Sequence, residues 1–298
     1  MLIYIIGRGK SGSTILDIAL SQSKDIVGMG ELLSGLGRKK TCTCGLKAKD
    51  CKEWRALYNG NLSVSKTRMN YIKSESKITH FFKYFFSSKN WFFNKAGKYL
   101  KINEEILKAR NKNSSGSILV DSSKEITRGL ILSRGKKDTV FIHLIRDPYK
   151  VISSNMHRVE DDTGYKFMRK TYKNKSARPI FFLITAIGWV LGNIFCELTK
   201  FYSKKRSIRI RFEDICFHPN ETVGKIEKLA GTELQETKRF LNGESAAKKK
   251  HLMGGNRTNR EDNLVFDRDR ALGRENLSKS EKLIAILITG GLRKIYGY

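Results

Sequence analysis

The hydrophobic pattern falls into short apolar runs, each followed by a longer amphipathic one. Leu2–Ile6 is apolar throughout, ends at a glycine-rich turn and leads into the amphipathic run Thr14–Leu20. Ser117–Asp121 (SILVD) precedes the helical pattern Glu125–Ser133, and Thr139–Ile145 (TVFIHLI) precedes Tyr149–Met156. Ser207–Arg211 (SIRIR) precedes a helix that starts near Pro219 and ends near Gly231. Strand-length apolar runs alternating with helices predict a parallel sheet joined by crossover helices. The expected fold class is α/β: one domain over residues 1–298, with a central parallel sheet flanked by helices. From about Gly28 to Lys112 the pattern is less regular, and residues 59–112 read as an insertion.

Three apolar stretches need separate treatment. The opening MLIYII has no basic region before it and no small-residue cleavage site after it, so it reads as a first strand rather than a signal peptide. Pro179–Cys196 is 18 residues without a charge, the lower limit for a membrane span. A lone span in mid-chain would split the fold, so this stretch is read as a buried core helix. The cytoplasm is the expected compartment. Phe81–Phe93 holds eight aromatics in thirteen residues. It is expected to pack as a helix on the core, with the wall of a cleft or a membrane contact as alternatives.

Charge narrows the partners. With 58 Lys+Arg against 29 Asp+Glu, the net charge is +29. Such a chain attracts anions: nucleotides, sulfated or phosphorylated glycans, anionic lipid surfaces or nucleic acid. The basic runs Arg38-Lys39-Lys40, Arg134–Lys137, Lys204–Arg206 and Lys248–Lys250 read singly as solvated surface. A hydrophobic fraction of 40% excludes general disorder, and five cysteines in 298 residues exclude a disulfide scaffold.

Ligands of open parallel sheets bind beyond the carboxyl ends of the strands, so the residues after Ile6, Asp121 and Ile145 are where chemistry is expected. After Ile6 comes Gly7-Arg8-Gly9-Lys10-Ser11-Gly12-Ser13-Thr14, then a helix. Small residues let the backbone approach a ligand, and N–H groups at a helix start suit a phosphate. A Walker loop using Gly9-Lys10-Ser11 would need glycine at position 4, which is Tyr4. After Ile145 comes Arg146-Asp147-Pro148, with Ser154 eight residues beyond the arginine. A guanidinium at a strand end can grip a phosphate through two bonds. Two separated phosphate cradles exceed the needs of a nucleoside triphosphate.

Lys10-Ser11-Gly12-Ser13-Thr14 after a strand resembles the 5′-phosphosulfate loop of sulfotransferases that use 3′-phosphoadenosine 5′-phosphosulfate (PAPS). Arg146-Asp147-Pro148 with Ser154 resembles the 3′-phosphate site of that family, and Gly28-Met29-Gly30-Glu31 resembles its Gly-Glu element. Asp121-Ser122-Ser123-Lys124, Trp189 with Asn193, Arg211-Phe212-Glu213-Asp214 with Pro219, and His251-Leu252-Met253-Gly254-Gly255-Asn256-Arg257 resemble further family elements. The resemblance implies a sulfotransferase fold related to P-loop NTPases and transfer of a sulfonate from PAPS to a hydroxyl or amine. It implies donor contacts from Arg8, Gly9, Lys10, Ser11, Gly12, Ser13, Thr14, Arg146, Ser154, Asn256 and Arg257, within a nucleotide-covering loop at about 245–275. Lys10, Glu31 and Lys124 are the expected catalytic residues, with Glu31 as general base and no metal. A glycan or lipid-linked sugar is the expected acceptor, with peripheral membrane contact and no nucleic acid.

Cys42, Cys44 and Cys51, with Gly45 and Trp54, form a C-x-C-G-x(5)-C-x-x-W cluster. No fourth cysteine follows and the closest histidine in sequence is His80, so the cluster reads as a packing or redox clip rather than a zinc site. Two other functions fit parts of the chain. A P-loop nucleotide kinase shares the strand–loop–helix start but lacks its glycine. A nucleic-acid-binding protein would use the charge and leave the Arg146–Ser154 spacing unexplained.

Overall fold

The computed structural model describes residues 1–35, 41–55, 66–111, 118–160, 178–248, 251–254, 263–273 and 275–298. Five strands, β1 (Leu2–Gly7), β2 (Ile26–Gly28), β3 (Ile118–Asp121), β4 (Thr139–Ile145) and β5 (Ser207–Arg211), form one parallel sheet in the order β2-β3-β1-β4-β5. The α/β class with a central parallel sheet is as expected. Strand β2 has no counterpart in the sequence pattern, because three residues are too few to show a period.

Alternation on β1 divides the core. Leu2, Tyr4 and Ile6 face one buried cluster, and Ile3 and Ile5 face the other, so both sides of the sheet are covered. Register does the rest. Leu2 of β1 lies beside Leu119 of β3 and Thr139 of β4; β3 ends at Asp121 beside Tyr4, while β1 and β4 run on to end level, Gly7 beside Leu144. Gly7 closes the pairing: a Cβ there would sit 2.4 Å from the Leu144 carbonyl oxygen.

The helices of eight or more residues among those described are α1 (Ser13–Leu20), α2 (Lys66–Glu75), α3 (Lys89–Asn111), α4 (Ile126–Gly135), α5 (Pro148–Glu160), α6 (Arg178–Ser203), α7 (Pro219–Ala230) and α8 (Lys279–Ile295). Residues 66–111, which read as irregular, are mostly helical. Lysines crowd α2 and α3 and obscure their apolar stripes, while Met69, Ile72, Phe92, Ala96, Tyr99 and Ile106 are buried. The aromatic stretch packs as expected: Phe81 and Tyr84 are buried, and Phe81 lies 4.7 Å from Phe195 of α6. Phe82 and Phe86 stay exposed.

Helix α6 corrects the reading of a fully buried core helix. By length and composition it is apolar enough to span a membrane, yet it lies along the protein with one face down. Phe181, Thr185, Ala186, Trp189, Gly192 and Asn193 follow helical spacing and are buried, whereas Ile180, Ile184, Ile187, Leu191 and Phe201 are exposed. Trp189 Nε1 donates to the Arg146 carbonyl at 3.0 Å, and Asn193 Oδ1 lies 3.0 Å from His143 Nε2, so this helix fixes the end of β4.

Two of the basic runs are partly structural. Arg206 donates to the carbonyls of Ser133, Lys136 and Thr139, where α4 ends. Arg134 donates to the Ser87 hydroxyl and carbonyl and stacks on Phe92 and Tyr202. The run Arg38-Lys39-Lys40 lies outside the described residues.

Below the ends of β1 and β3 are two buried carboxylates. Asp121 is bridged by Arg128 at 2.9 Å, and both are essentially inaccessible. Arg128 also donates to Tyr99 and Asn103. Asp17 of α1 accepts from Ser122 Oγ at 2.6 Å; burial pushes its carboxyl up to about 7, with Asp121 adding to the rise and Ser122 opposing it.

Arg128→Met would leave Asp121 as a buried unpaired charge, and we expect urea unfolding to show a loss of about 3–5 kcal/mol. Asp17 predicts a pH dependence. A carboxyl whose pKa rises on folding holds its proton more tightly in the native state, so its contribution is full below the unfolded value of 3.8. That contribution falls as pH rises through about 7. Asp17→Asn should flatten this slope in unfolding curves taken across that window.

Candidate active site

One cavity of about 700 Å³ opens beyond the carboxyl ends of β1, β3 and β4. It is lined by the loop after β1 (Gly7, Arg8, Gly9, Lys10, Gly12, Ser13 and Thr14), by Glu31, by Ser123 and Lys124 after β3, and by Arg146 and Ser154 after β4. Phe181, Ile184 and Thr185 of α6 and a strip from Leu264 to Ala271 complete the wall. None of the aromatic residues 81–93 reaches it.

The loop owes its shape to one glycine and one strained lysine. Gly12 has φ +89°, and a Cβ there would meet the Phe212 ring at 2.1 Å. No side chain caps the start of α1 at Gly12, and no acidic residue sits in its first turn. This leaves the positive end of the helix facing the cavity. Lys10 has φ +74°. Lys124 has φ +62°, so two of the four non-glycine residues with positive φ among those described are the two candidate catalytic lysines. Such backbone conformations cost about 1–3 kcal/mol each and gather at functional sites.

Ser11 differs from expectation. Its N–H donates to the Arg8 carbonyl and its hydroxyl is buried beneath the loop without a hydrogen-bond partner, so it shapes the turn and is not part of the cavity wall. Arg8 lines the cavity but packs along α6, where a Cβ at Gly192 would fall 2.1 Å from its Cδ.

Arg146 joins the two expected cradles. Its Nη1 donates to the Lys10 carbonyl at 3.1 Å, and its Nη2 donates to Ala271 and Leu272 carbonyls at 3.2 and 2.6 Å. Its Nε is buried without a partner, and the guanidinium lies 5.1 Å from the centre of the Phe212 ring. Burial lowers its pKa, with Glu213 the first of several groups that oppose the shift. Asp147 turns away from the cavity: it accepts from the Tyr149 N–H at the start of α5 and pairs with Arg293 at 3.2 Å. Ser154 lies on the cavity wall, while its neighbour Ser153 accepts from the Asn276 N–H.

Glu31 and Lys124 form an ion pair at 2.7 Å, and Lys124 also donates to the Ser122 carbonyl. Main-chain bonds place Glu31: its N–H donates to the Met253 carbonyl at 2.7 Å, and the Ser122 N–H donates to Gly30. Burial pushes Glu125 up, and the charge of Glu31 adds to that shift. Lys124 thus meets Glu31, where the sequence left its partner open. Asn256 and Arg257 lie outside the described residues.

The sequence reading missed Phe212 as a site residue, although it sits in the quoted Arg211-Phe212-Glu213-Asp214 element; its ring underlies both Gly12 and Arg146. It also missed the helix Arg268–Leu272, which covers Arg146. Five residues are too few for a periodic signal, and the local cues are an Asp267 cap over Arg270 and Gly273 at the helix end.

The loops after β1, β3 and β4 thus bring an uncapped helix start, the Arg146 guanidinium and the paired Glu31 and Lys124 to one cavity, which suits an anionic ligand. Structural comparison gives the same fold. The chain matches the sulfotransferase domain of the olefin synthase of Synechococcus PCC 7002 with a TM-score of 0.51 and 17% identity, over 100% of this chain and 94% of that one. It matches the sulfotransferase domain from the curacin biosynthetic pathway with a TM-score of 0.51 and 16% identity, over 97% and 96%. No curated protein matches the sequence. A profile described as the sulfotransferase family covers residues 3–236, and the chain belongs to that family.

Proposed function

We propose that this sulfotransferase moves a sulfonate from PAPS to an acceptor hydroxyl, with Glu31 as general base. The observation that carries the reading is the shared cavity: the uncapped α1 start and Lys10 on one side, Arg146 and Ser154 on another, and the Glu31–Lys124 pair beside them. The donor is anionic at two separated points, and the unpartnered Arg146 Nε is a buried donor left for such an anion. A cavity of about 700 Å³ lies within the usual size of small-ligand sites.

The chain's residues divide the work as follows. The first N–H groups of α1 and Lys10 hold the 5′-phosphate and take up charge as it leaves. Arg146 and Ser154 hold the 3′-phosphate, in competition with the carbonyls of Ala271 and Leu272. PAPS supplies the sulfonate. The acceptor oxygen forms a bond to sulfur as the sulfur–oxygen bond to the 5′-phosphate breaks, and the acceptor proton passes to Glu31. Lys124 pairs with Glu31 and so orients its carboxylate, and it sets an ammonium group beside the transferring sulfonate. Positioning and charge stabilisation supply most of the rate in transfers of this kind.

The acceptor reading extends to a glycan or lipid-linked sugar presented at a membrane on the cytoplasmic side. Ile184 lines the cavity and is 56% exposed on the apolar outer face of α6, so the cavity rim runs into that face. Leu283, Leu287 and Ile295 of α8 are also exposed, and the chain carries +29.

Arg146→Ala should weaken adenosine 3′,5′-bisphosphate binding by about 10-fold or more in calorimetry, as a bond to a charged group is worth about 1.5–3 kcal/mol. Glu31→Gln should keep that affinity and lower kcat by about 10²–10⁴-fold. Unchanged affinity in Arg146→Ala would refute the assignment, and tight ATP·Mg binding in place of the bisphosphate would favour a kinase. For the membrane reading, the chain should float with vesicles containing phosphatidylserine and not with neutral ones. Ile184→Asp with Leu287→Asp should abolish flotation.

A further inference from the structure

The sequence set zinc aside for Cys42, Cys44 and Cys51 because no fourth ligand lay nearby. The fold supplies one from 200 residues away. His251 Nδ1 lies 3.2 Å from Cys51 Sγ and 3.8 Å from Cys42 Sγ, and all four ligand atoms, Cys44 included, lie within 4.8 Å of one another.

The local backbone is built to converge these groups. Thr41 and Lys47 pair across a tight turn, with the Cys42 N–H donating to the Leu46 carbonyl and the Gly45 N–H to the Cys42 carbonyl. Gly45, at φ +89°, supplies the left-handed residue that brings Cys44 back beside Cys42. The Cys51 N–H donates to the Lys47 carbonyl, which ties the third thiol to the same turn. His251 is held from both sides: Trp54 Nε1 donates to its carbonyl at 2.7 Å, and Leu252 and Thr43 exchange bonds at 3.0 and 3.1 Å.

Distances decide between the candidate roles. A disulfide would join two sulfurs and leave the third thiol and the imidazole unexplained, and all three cysteines are thiols here. Apolar packing gives no reason for a ring nitrogen to face two sulfurs. A tetrahedral zinc with bonds of about 2.3 Å to sulfur and 2.0–2.1 Å to nitrogen puts its ligands about 3.5–3.8 Å apart. The observed 3.2 and 3.8 Å straddle that spacing. Soft thiolates with one imidazole select zinc over magnesium or calcium, and four protein ligands leave no open position for catalysis.

We propose that Cys42, Cys44, Cys51 and His251 form a closed structural zinc site. Its place gives it a task. Two residues after His251, Met253 donates to the Met29 carbonyl and accepts from the Glu31 N–H. Zinc would lock the turn at 41–51 to the strip 251–253 and so hold the backbone that carries Glu31. The proposal does not depend on the donor or acceptor of the reaction.

The full chain, purified without a histidine tag, should contain about one zinc per molecule by mass spectrometry of the element. His251→Ala and Cys51→Ser should lose at least about nine-tenths of it, while Cys216→Ser, remote from the cluster, keeps it. Exchange of the unmutated protein into cobalt needs no variant to fold, and should give thiolate-to-cobalt charge transfer with intense tetrahedral visible bands. Iodoacetamide should label Cys42, Cys44 and Cys51 only after a chelator is added. Absence of both zinc and the cobalt spectrum would overturn the proposal. So would a disulfide within the cluster on a non-reducing peptide map, iron with acid-labile sulfide, or full zinc content in Cys51→Ser.

Discussion

The bond from Arg146 Nη1 to the Lys10 carbonyl is the contact on which the site depends. It joins the loop after β1 to the loop after β4, and the strand register makes it possible, since Gly7 lies beside Leu144 two residues before Arg146. Lys10 holds a left-handed backbone at a cost of about 1–3 kcal/mol. A hydrogen bond to a charged guanidinium returns about 1.5–3 kcal/mol. The two are of the same size, so the shape of the first loop rests on the arginine of the second. An anion that draws Arg146 toward itself draws on the group that holds the other loop in form.

A cavity for anions sits above two buried carboxyl groups, Asp17 and Asp121, which at first sight should repel its ligand. Each is accounted for. Asp121 is neutralised by Arg128 and accepts from the N–H and hydroxyl of Ser123. Asp17 is pushed up to about 7, so near neutral pH a large part of it carries a proton and no charge. Glu125 lines the cavity wall and is shifted the same way. Glu31, paired with Lys124, and Asp267 also line the cavity. Burial and pairing thus offset negative charge beneath the cavity, and at Glu31 an ammonium stands beside the carboxylate.

The sheet and the two anion loops were legible because their signals are local. An apolar run and a glycine-rich turn mark a strand end whatever surrounds them, and Arg146 with Ser154 needs only the helix that Pro148 starts. What was not legible depends on contacts across the chain. Strand β2 is three residues long and exists because β3 lies beside it. The half-exposed face of α6 was invisible because an uncharged stretch does not say which side is covered. Ser11 matched the loop pattern, yet its side chain points under the loop, a choice set by the close approach of Gly7. His251 and the cysteine cluster are far apart in sequence, and no spacing rule joins them.

The Gly-Glu element shows why its residue types are needed together. Gly30 has φ +66°, and a Cβ there would lie 2.2 Å from the Met253 carbonyl oxygen. Gly254 has φ +69°, and a Cβ there would lie 3.0 Å from the Glu31 Cβ. Any side chain at position 30 would therefore push out the strip that receives the Glu31 N–H, and one at 254 would press on the carboxylate stem itself. Gly28 meets the same limit from below, where a Cβ would come 2.5 Å from Asp17 Oδ1. The three glycines are spaces left by neighbouring backbone and by a buried carboxyl. The position of Glu31 is thus set by segments before and more than 200 residues after it, with little contribution from its own side-chain rotamer until Lys124 pairs with it.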